Sequence, residues 1–287
     1  SGSAYPTERV LPPANDAVLR ELERRVHVLR ADDGTAAYLA ATRESGIVDA
    51  LIAGRLRFEW AQVRMVSDDP AKGLGRAPRE GLLWEQLGEI IGAPTRDLDL
   101  VTPYFVPTNA GVDAFVRLAA RGVRIRVLLN SLEATDVDAV HSGYAKHRKA
   151  LLEGGIALYE TRLASGEDRR RAFGPLGSSG SSLHAKTFAV DRERLFIGSF
   201  NFDPRSANLN TELGFVIESS ALAGRMAAYL DERLPALTYE VHLEDGDIYW
   251  TERVEGATVR HDTEPGTHAL QRFLVWFLSL LPIDPLL

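Results

Sequence analysis

Near the N-terminus four apolar residues, Leu19, Leu22, Val26 and Leu29, repeat at the spacing of one helix face. They predict helix from about Asp16 to Gly54. A strand-like stretch, Leu56 to Val66, comes next. Ser67 to Pro78 is polar and rich in Gly and Pro, so it reads as a loop that is mobile or touches a ligand. From about Gly81 to Leu234 the two periodicities alternate. Helical patterns at Leu82 to Ile91, Val112 to Arg121, Ala139 to Glu153 and Leu222 to Leu234 interleave with apolar runs at Leu98 to Thr102, Val123 to Leu129 and Ile156 to Tyr159. After a polar stretch, Arg162 to Ser182, three strands are predicted close together: Leu183 to Val190, Arg194 to Gly198 and Thr211 to Glu218. This order predicts an α/β fold, a mixed sheet flanked by helices.

The tail behaves differently. Tyr239 to Arg260 alternates like a hairpin turning at Asp245-Gly246, and Ala269 to Leu287 is strongly apolar. The expected organisation is a helical lead with a loop over residues 1–80, a central domain over 81–235, and a hairpin with an apolar helix over 236–287. The last segment is too short to span a bilayer, but it suits a helix lying in an interface or docked on the core.

Composition narrows the function. Hydrophobic residues make up 45% and charged residues 25%, the balance of a chain that buries a real core. The net charge of −7 gives no basic field for nucleic acid, which is not favoured as a partner. Cysteine is absent and the seven histidines lack metal-ligand spacing, so neither metal nor cofactor is expected. The start at Ser1-Gly2-Ser3, without an initiator Met, suggests a tag remnant or an excised fragment.

The chemistry concentrates late in the chain. On an extended strand residues i and i+2 share a face, so His184 and Lys186 point the same way, as do Ser199 and Asn201 in the next strand. Asp191, an odd number of positions from His184, reads as structural. A neutral imidazole attacks phosphorus readily near neutral pH, and a phosphohistidine splits one hard displacement into two easier ones. Lys186 supplies positive charge to the non-bridging oxygens, and Ser199 and Asn201 donate hydrogen bonds. A carboxylate accepting from the second ring nitrogen fixes the tautomer. Glu212 is the candidate.

The pattern His184-x-Lys186-x4-Asp191, with Gly198-Ser199-x-Asn201 and Glu212 downstream, resembles the HKD motif of the phospholipase D superfamily. Further stretches resemble bacterial cardiolipin synthase-type members: Thr102 to Pro107, Asn130-Ser131, His141 to Lys146, Phe200 to Glu212, and Leu280 to Asp284. The resemblance implies a phospholipase D-like domain, one half of a two-domain pseudodimer, with His184, Lys186 and Glu212 catalytic. It makes Lys186, Ser199 and Asn201 the phosphate site, and Asp191 and Gly198 structural parts of the motif. Tyr104 and Phe105 are the candidates for touching a lipid glycerol or acyl chain. His141 and Tyr144 are weaker candidates of the same kind, better suited to helix packing.

The family pattern has two such motifs, one His attacking and the other protonating the leaving alcohol, and this sequence holds one. The resemblance therefore implies a partner: an N-terminal half upstream of residue 1, or a second copy of the chain. The function it implies is phosphatidyl transfer or phospholipase D hydrolysis on phospholipids, at a bacterial membrane surface and peripheral to it. The alternatives are a nuclease-type phosphodiesterase and a non-catalytic membrane-docking half.

Overall fold

The computed structural model describes residues 15–31, 35, 46–163, 183–284 and 287. They fall into two compact units, Ser1–Phe58 and Glu59–Leu287. In the first unit the predicted long helix is, among the described residues, a helix Asp16–Arg30 and a short one Ile47–Ile52. Asn15 caps the former, its Oδ1 accepting from the N–H groups of Ala17 and Val18 at 3.0 Å each.

The second unit is built on one ten-stranded sheet in the order β1-β7-β6-β5-β2-β3-β4-β8-β9-β10. The strands are β1 (Gln62–Ser67), β2 (Asp97–Val101), β3 (Arg124–Asn130), β4 (Ala157–Thr161), β5 (Thr187–Val190), β6 (Arg194–Gly198), β7 (Leu213–Glu218), β8 (Thr238–Glu244), β9 (Asp247–Val254) and β10 (Ala257–His261). Strands β2, β3 and β4 run parallel, and the remaining pairings are antiparallel, as the mixed-sheet reading expected. Helices Leu83–Ile91, Thr108–Ala120 and Arg148–Glu153 place Leu83, Leu87, Ile91, Phe115 and Leu151 in the core on one face. Helix Ser220–Leu237 packs Ala223, Met226, Leu230 and Leu234 on the other.

Several boundaries differ from the sequence reading. Strand β1 pairs with β7 and β8 pairs with β4, so the lead and the tail extend the central sheet and no structural break falls at 80/81 or 235/236. The predicted hairpin is a three-stranded meander with a second turn at Glu255-Gly256, where both residues have positive φ. The predicted helix Ala139 to Glu153 is two helices, Asp138–Ala145 and Arg148–Glu153. Nor is the Ser67 to Pro78 loop loose. It forms a 3₁₀ turn, Pro70–Leu74, capped by Asp69, and the Lys72 side chain is buried. Most of the predicted loop Arg162 to Ser182 lies outside the described residues.

Strand direction fixes where function can sit. The C-terminal ends of β1, β2, β3 and β6 and the N-terminal ends of β5 and β7 meet at one edge of the sheet, as Val101↔Thr187, Thr187↔Ile197, Gly198↔Gly214 and Ser67↔Leu213 show. Open α/β sheets present ligand sites at such strand ends.

Candidate active site

Asn130 ends β3 and acts as a clamp. Its side-chain amide donates to Leu183 O at 3.1 Å, and its Oδ1 accepts from Leu183 N at 2.9 Å. That pair imitates one rung of a β-ladder and pins the residue before His184, while the Leu183 side chain enters the core beside Leu128 and Ala223. Regular strand begins only at Thr187, later than predicted, yet His184 and Lys186 do converge. Lys186 Nζ lies 3.3 Å from His184 Nε2 and donates to His184 O at 3.1 Å. An ammonium has no lone pair to offer, so in the neutral ring Nε2 carries the lone pair and the proton sits on Nδ1. Partial burial pulls the Lys186 ammonium below its ordinary value, against the upward pull of Glu212, Asp203 and Asp136. His184 is exposed and Lys186 half-buried.

The second wall comes from the β6–β7 connection. Gly198 is required by contact: a Cβ there would lie 2.5 Å from Leu213 O and 2.7 Å from the Phe196 ring. The ring of Phe196 also covers Gly214 directly across the ladder, so these two strands meet without side chains between them. Ser199 Oγ accepts from Leu213 N at 3.0 Å and donates to Glu212 Oε2. The other Glu212 oxygen accepts from Ser206 Oγ at 3.0 Å.

Glu212 was expected to hold the His184 ring. Its hydrogen bonds run instead to two seryl hydroxyls, because the residue precedes β7 and hangs over the short helix Pro204–Asn208. One consequence is that the single Ser199 proton is committed to Glu212 and must rotate away before it can serve a phosphate oxygen. Asn201 is 7% exposed, and its Oδ1 is buried with no hydrogen-bond partner among the described residues. Either orientation of the amide leaves a polar atom unspent.

Two carboxylates that the sequence reading missed adjoin this site. Asp203 caps helix Pro204–Asn208 by accepting from Ser206 N at 2.7 Å, and burial, with Glu212 beside it, pushes its carboxyl upward against those hydrogen bonds. Asp136 accepts from Tyr104 OH at 2.9 Å. Burial, Asp136 and Asp203 together raise the Tyr104 phenol to about 12. The Asp203-Pro204 pair is a helix-start signal that could have been read. Asp136 carried no such signal.

The remaining candidates separate cleanly. Asp191 accepts from Arg96 N at 2.7 Å, from Thr95 N and Oγ1, and from Asp97 N, which ties the end of β5 to the start of β2. Burial alone would raise its pKa, but these bonds lower it. These bonds make Asp191 a tie between two strands. Phe105 is a correction: it is 1% exposed, with its ring among Phe115, Tyr144 and Phe202, because the chain folds back there to pair with Phe202.

His141 and Tyr144 are likewise buried and cannot reach a ligand at this edge. His141 Nε2 accepts from Arg148 Nη2 at 3.0 Å, and Tyr144 OH donates to Glu160 at 3.0 Å. Arg148 joins the group by donating to Glu264 at 2.8 Å and by lying 3.1 Å from Glu160. Of the four candidates for substrate contact, only Tyr104 lies beside the site.

No group of His, Asp and Glu that could hold a metal ion occurs among the described residues.

The family model for the cardiolipin synthase, PLD-like domain matches residues 87–234, which contain His184, Lys186, Ser199, Asn201 and Glu212. Cardiolipin synthase C of Escherichia coli (strain K12) is 44% identical over 260 residues, covering 89% of this chain and 54% of that protein. Cardiolipin synthase A of Citrobacter koseri is 30% identical over 137 residues, covering 47% of this chain and 24% of that protein. The solved structure of Nuc, a phospholipase D family member from Salmonella typhimurium, is 17% identical with a TM-score of 0.46, covering 64% of this chain and 99% of its own. The chain thus spans about half the length of the E. coli relative. The superfamily resemblance drawn from the HKD pattern is borne out: the chain belongs to the cardiolipin synthase, PLD-like domain family.

Proposed function

We propose that this chain supplies one half of a phosphatidyltransferase site of the cardiolipin synthase type, with His184 and Lys186 at its centre. The observation that carries the reading is the exposed His184 ring, its Nε2 3.3 Å from the Lys186 ammonium, at a sheet edge that also holds Ser199, Asn201 and Glu212. In the reaction an imidazole nitrogen attacks phosphorus and forms an N–P bond while the P–O bond to the leaving alcohol breaks. A second imidazolium gives that alcohol its proton. The acceptor hydroxyl then attacks phosphorus, returns a proton to the second imidazole, and the N–P bond breaks. Two histidines are needed, and His184 is one of them. Lys186 neutralises charge on the non-bridging oxygens, and Asn201 supplies its uncommitted amide. Tyr104, tied to Asp136, is the proposed contact for an acceptor hydroxyl or glycerol.

The second histidine comes, on this proposal, from a half upstream in the same polypeptide. The chain's 54% coverage of the E. coli relative supports this. So does an uncovered apolar patch: Met65, Phe215 and Ile197 line up across β1, β7 and β6 at 62%, 41% and 48% exposure. Ile197 is two residues before Ser199, so the patch adjoins the site.

Phospholipid is the proposed substrate, and the bacterial membrane surface the proposed place of work. No helix among the described residues is long and apolar enough to cross a membrane. Helix Ala269–Ser279 exposes Leu270, Phe273, Trp276 and Phe277, a surface suited to the headgroup boundary.

The test uses the full-length protein with phosphatidylglycerol vesicles and with DNA. Cardiolipin formation that His184→Ala abolishes, with a phosphohistidine trapped by acid-free quenching, supports the reading. Cleavage of DNA alone, or vesicle binding without turnover, sinks it.

A further inference from the structure

Behind the phosphate edge lies a buried ion pair with no direct part in the chemistry just described. Asp68, immediately after β1, and Lys72, in the 3₁₀ turn, have side chains 0% and 2% exposed and lie 2.7 Å apart. A buried pair of this kind adds little net stability, because desolvation consumes most of the attraction. What it does supply is direction.

Asp68 Oδ1 accepts from Leu83 N at 2.7 Å and so starts helix Leu83–Ile91, whose own N-cap residue, Leu82, offers no side-chain bond. Asp68 Oδ2 accepts from Glu212 N at 2.8 Å, and Asp68 N donates to Glu212 O at 2.8 Å, so Glu212 is gripped by its backbone. Lys72 Nζ donates to Ser206 O at 2.7 Å. Ser206 in turn holds the Glu212 carboxylate with its hydroxyl and receives Asn201 N at 3.3 Å. One ammonium and one carboxylate therefore set the mutual positions of residues 201, 206 and 212, and Glu212 positions Ser199.

We infer that Asp68 and Lys72 are positioning residues for the phosphate site, fixing Ser199, Asn201 and Glu212 through Ser206 without touching substrate. This rests on the reading of that edge as a phosphate site, and the experiment tests the two separately.

Inorganic phosphate is titrated into the chain while the amide resonances of Ser199, Asn201 and Leu213 are followed by NMR, and each variant is also melted. Saturable shifts in the wild type that Lys186→Ala abolishes support the site itself. Their absence from the wild type overturns both the reading and the inference. The Asp68→Asn/Lys72→Met double variant, which leaves no lone buried charge, is expected to bind phosphate about tenfold more weakly, the order of loss typical when the supports of a ligand shell are removed. Ser206→Ala, nearly isosteric, decides the matter if the double variant does not fold; the same weakening is expected in a folded chain whose melting temperature falls by a few degrees. Wild-type phosphate affinity in either folded variant overturns the inference.

Discussion

His141 and His184 both sit among charged side chains, and their surroundings are opposite. His141 is enclosed with Arg148, Glu160, Glu264 and Tyr144, and Arg148 also lies 4.8 Å from the Tyr144 ring and 5.0 Å from the Trp250 ring. Arg148 is shared between Glu160 and Glu264 there, and the cluster is buried. His184 stands in the open beside a half-buried ammonium, with a neighbouring amide unspent and a hydroxyl bound to a carboxylate. Both clusters contain the residue types that catalyse. The difference lies in exposure: the His141 cluster is sealed in the interior, whereas the His184 ring faces solvent.

Exchanging the two histidines' fates is the sharpest way to break that comparison. His184→Ala is expected to cost turnover on the order of 10²–10⁴-fold or more in the full-length protein, with the melting temperature nearly unchanged. A loss of stability instead would put His184 in the same class as His141.

Arg148→Met should do the reverse, destabilising by about 3–5 kcal/mol in denaturant titration, since it strands the buried Glu160 and Glu264. It should also change the acid limb. Burial would raise Glu264, but the Arg148 guanidinium holds it down at about 2, below the ordinary 4.5. A depressed carboxylate contributes stability that is fully present above about pH 4.5 and is lost as pH falls towards 2. Without Arg148 that slope should flatten or change sign, and unfolding free energies measured across this window will show it.

Asn130→Ala stands between the two clusters. Removing the clamp leaves the Leu183 backbone unpaired, which costs about 1–3 kcal/mol. It also frees the segment carrying His184, so kcat should fall more than the stability loss explains. Equal effects on both would make Asn130 an ordinary core residue. Smallest of all, Tyr104→Phe removes one half-exposed phenol and its bond to Asp136, about 0.5–1.5 kcal/mol. Its expected signature is a raised KM for the acceptor alcohol with melting lowered by no more than a few degrees.

Much of this was legible in the chain. The alternation of periods from residue 81 onwards foretold the mixed sheet, and the i, i+2 spacing foretold that His184 and Lys186 converge, although regular strand begins only at Thr187. What stayed hidden is non-local. Lys72 reaches Ser206 across 134 positions and Asp68 reaches Glu212 across 144, so a polar, Gly-rich stretch concealed a buried lysine. Phe105 deceived for a related reason: an aromatic residue beside a Pro-rich turn looks exposed until its pairing with Phe202, far along the chain, buries it. The partner of Glu212 was missed because the carboxylate sits just before its strand, where alternation says nothing about direction.

The pairing of β1 with β7 carries a last consequence, for how the molecule acquires its shape. Gln62 meets Glu218 and Ser67 meets Leu213, contacts that close a loop of most of the domain. Long-range pairings of this kind form slowly, because the entropy of closure is lost before the contacts repay it. The helices and the parallel β2–β3–β4 core can organise first, while the edge bearing Ser199 and Glu212 waits for β1 to arrive. In refolding experiments, recovery of the far-ultraviolet signal should run ahead of recovery of anion binding, and a nascent chain should acquire its chemistry last.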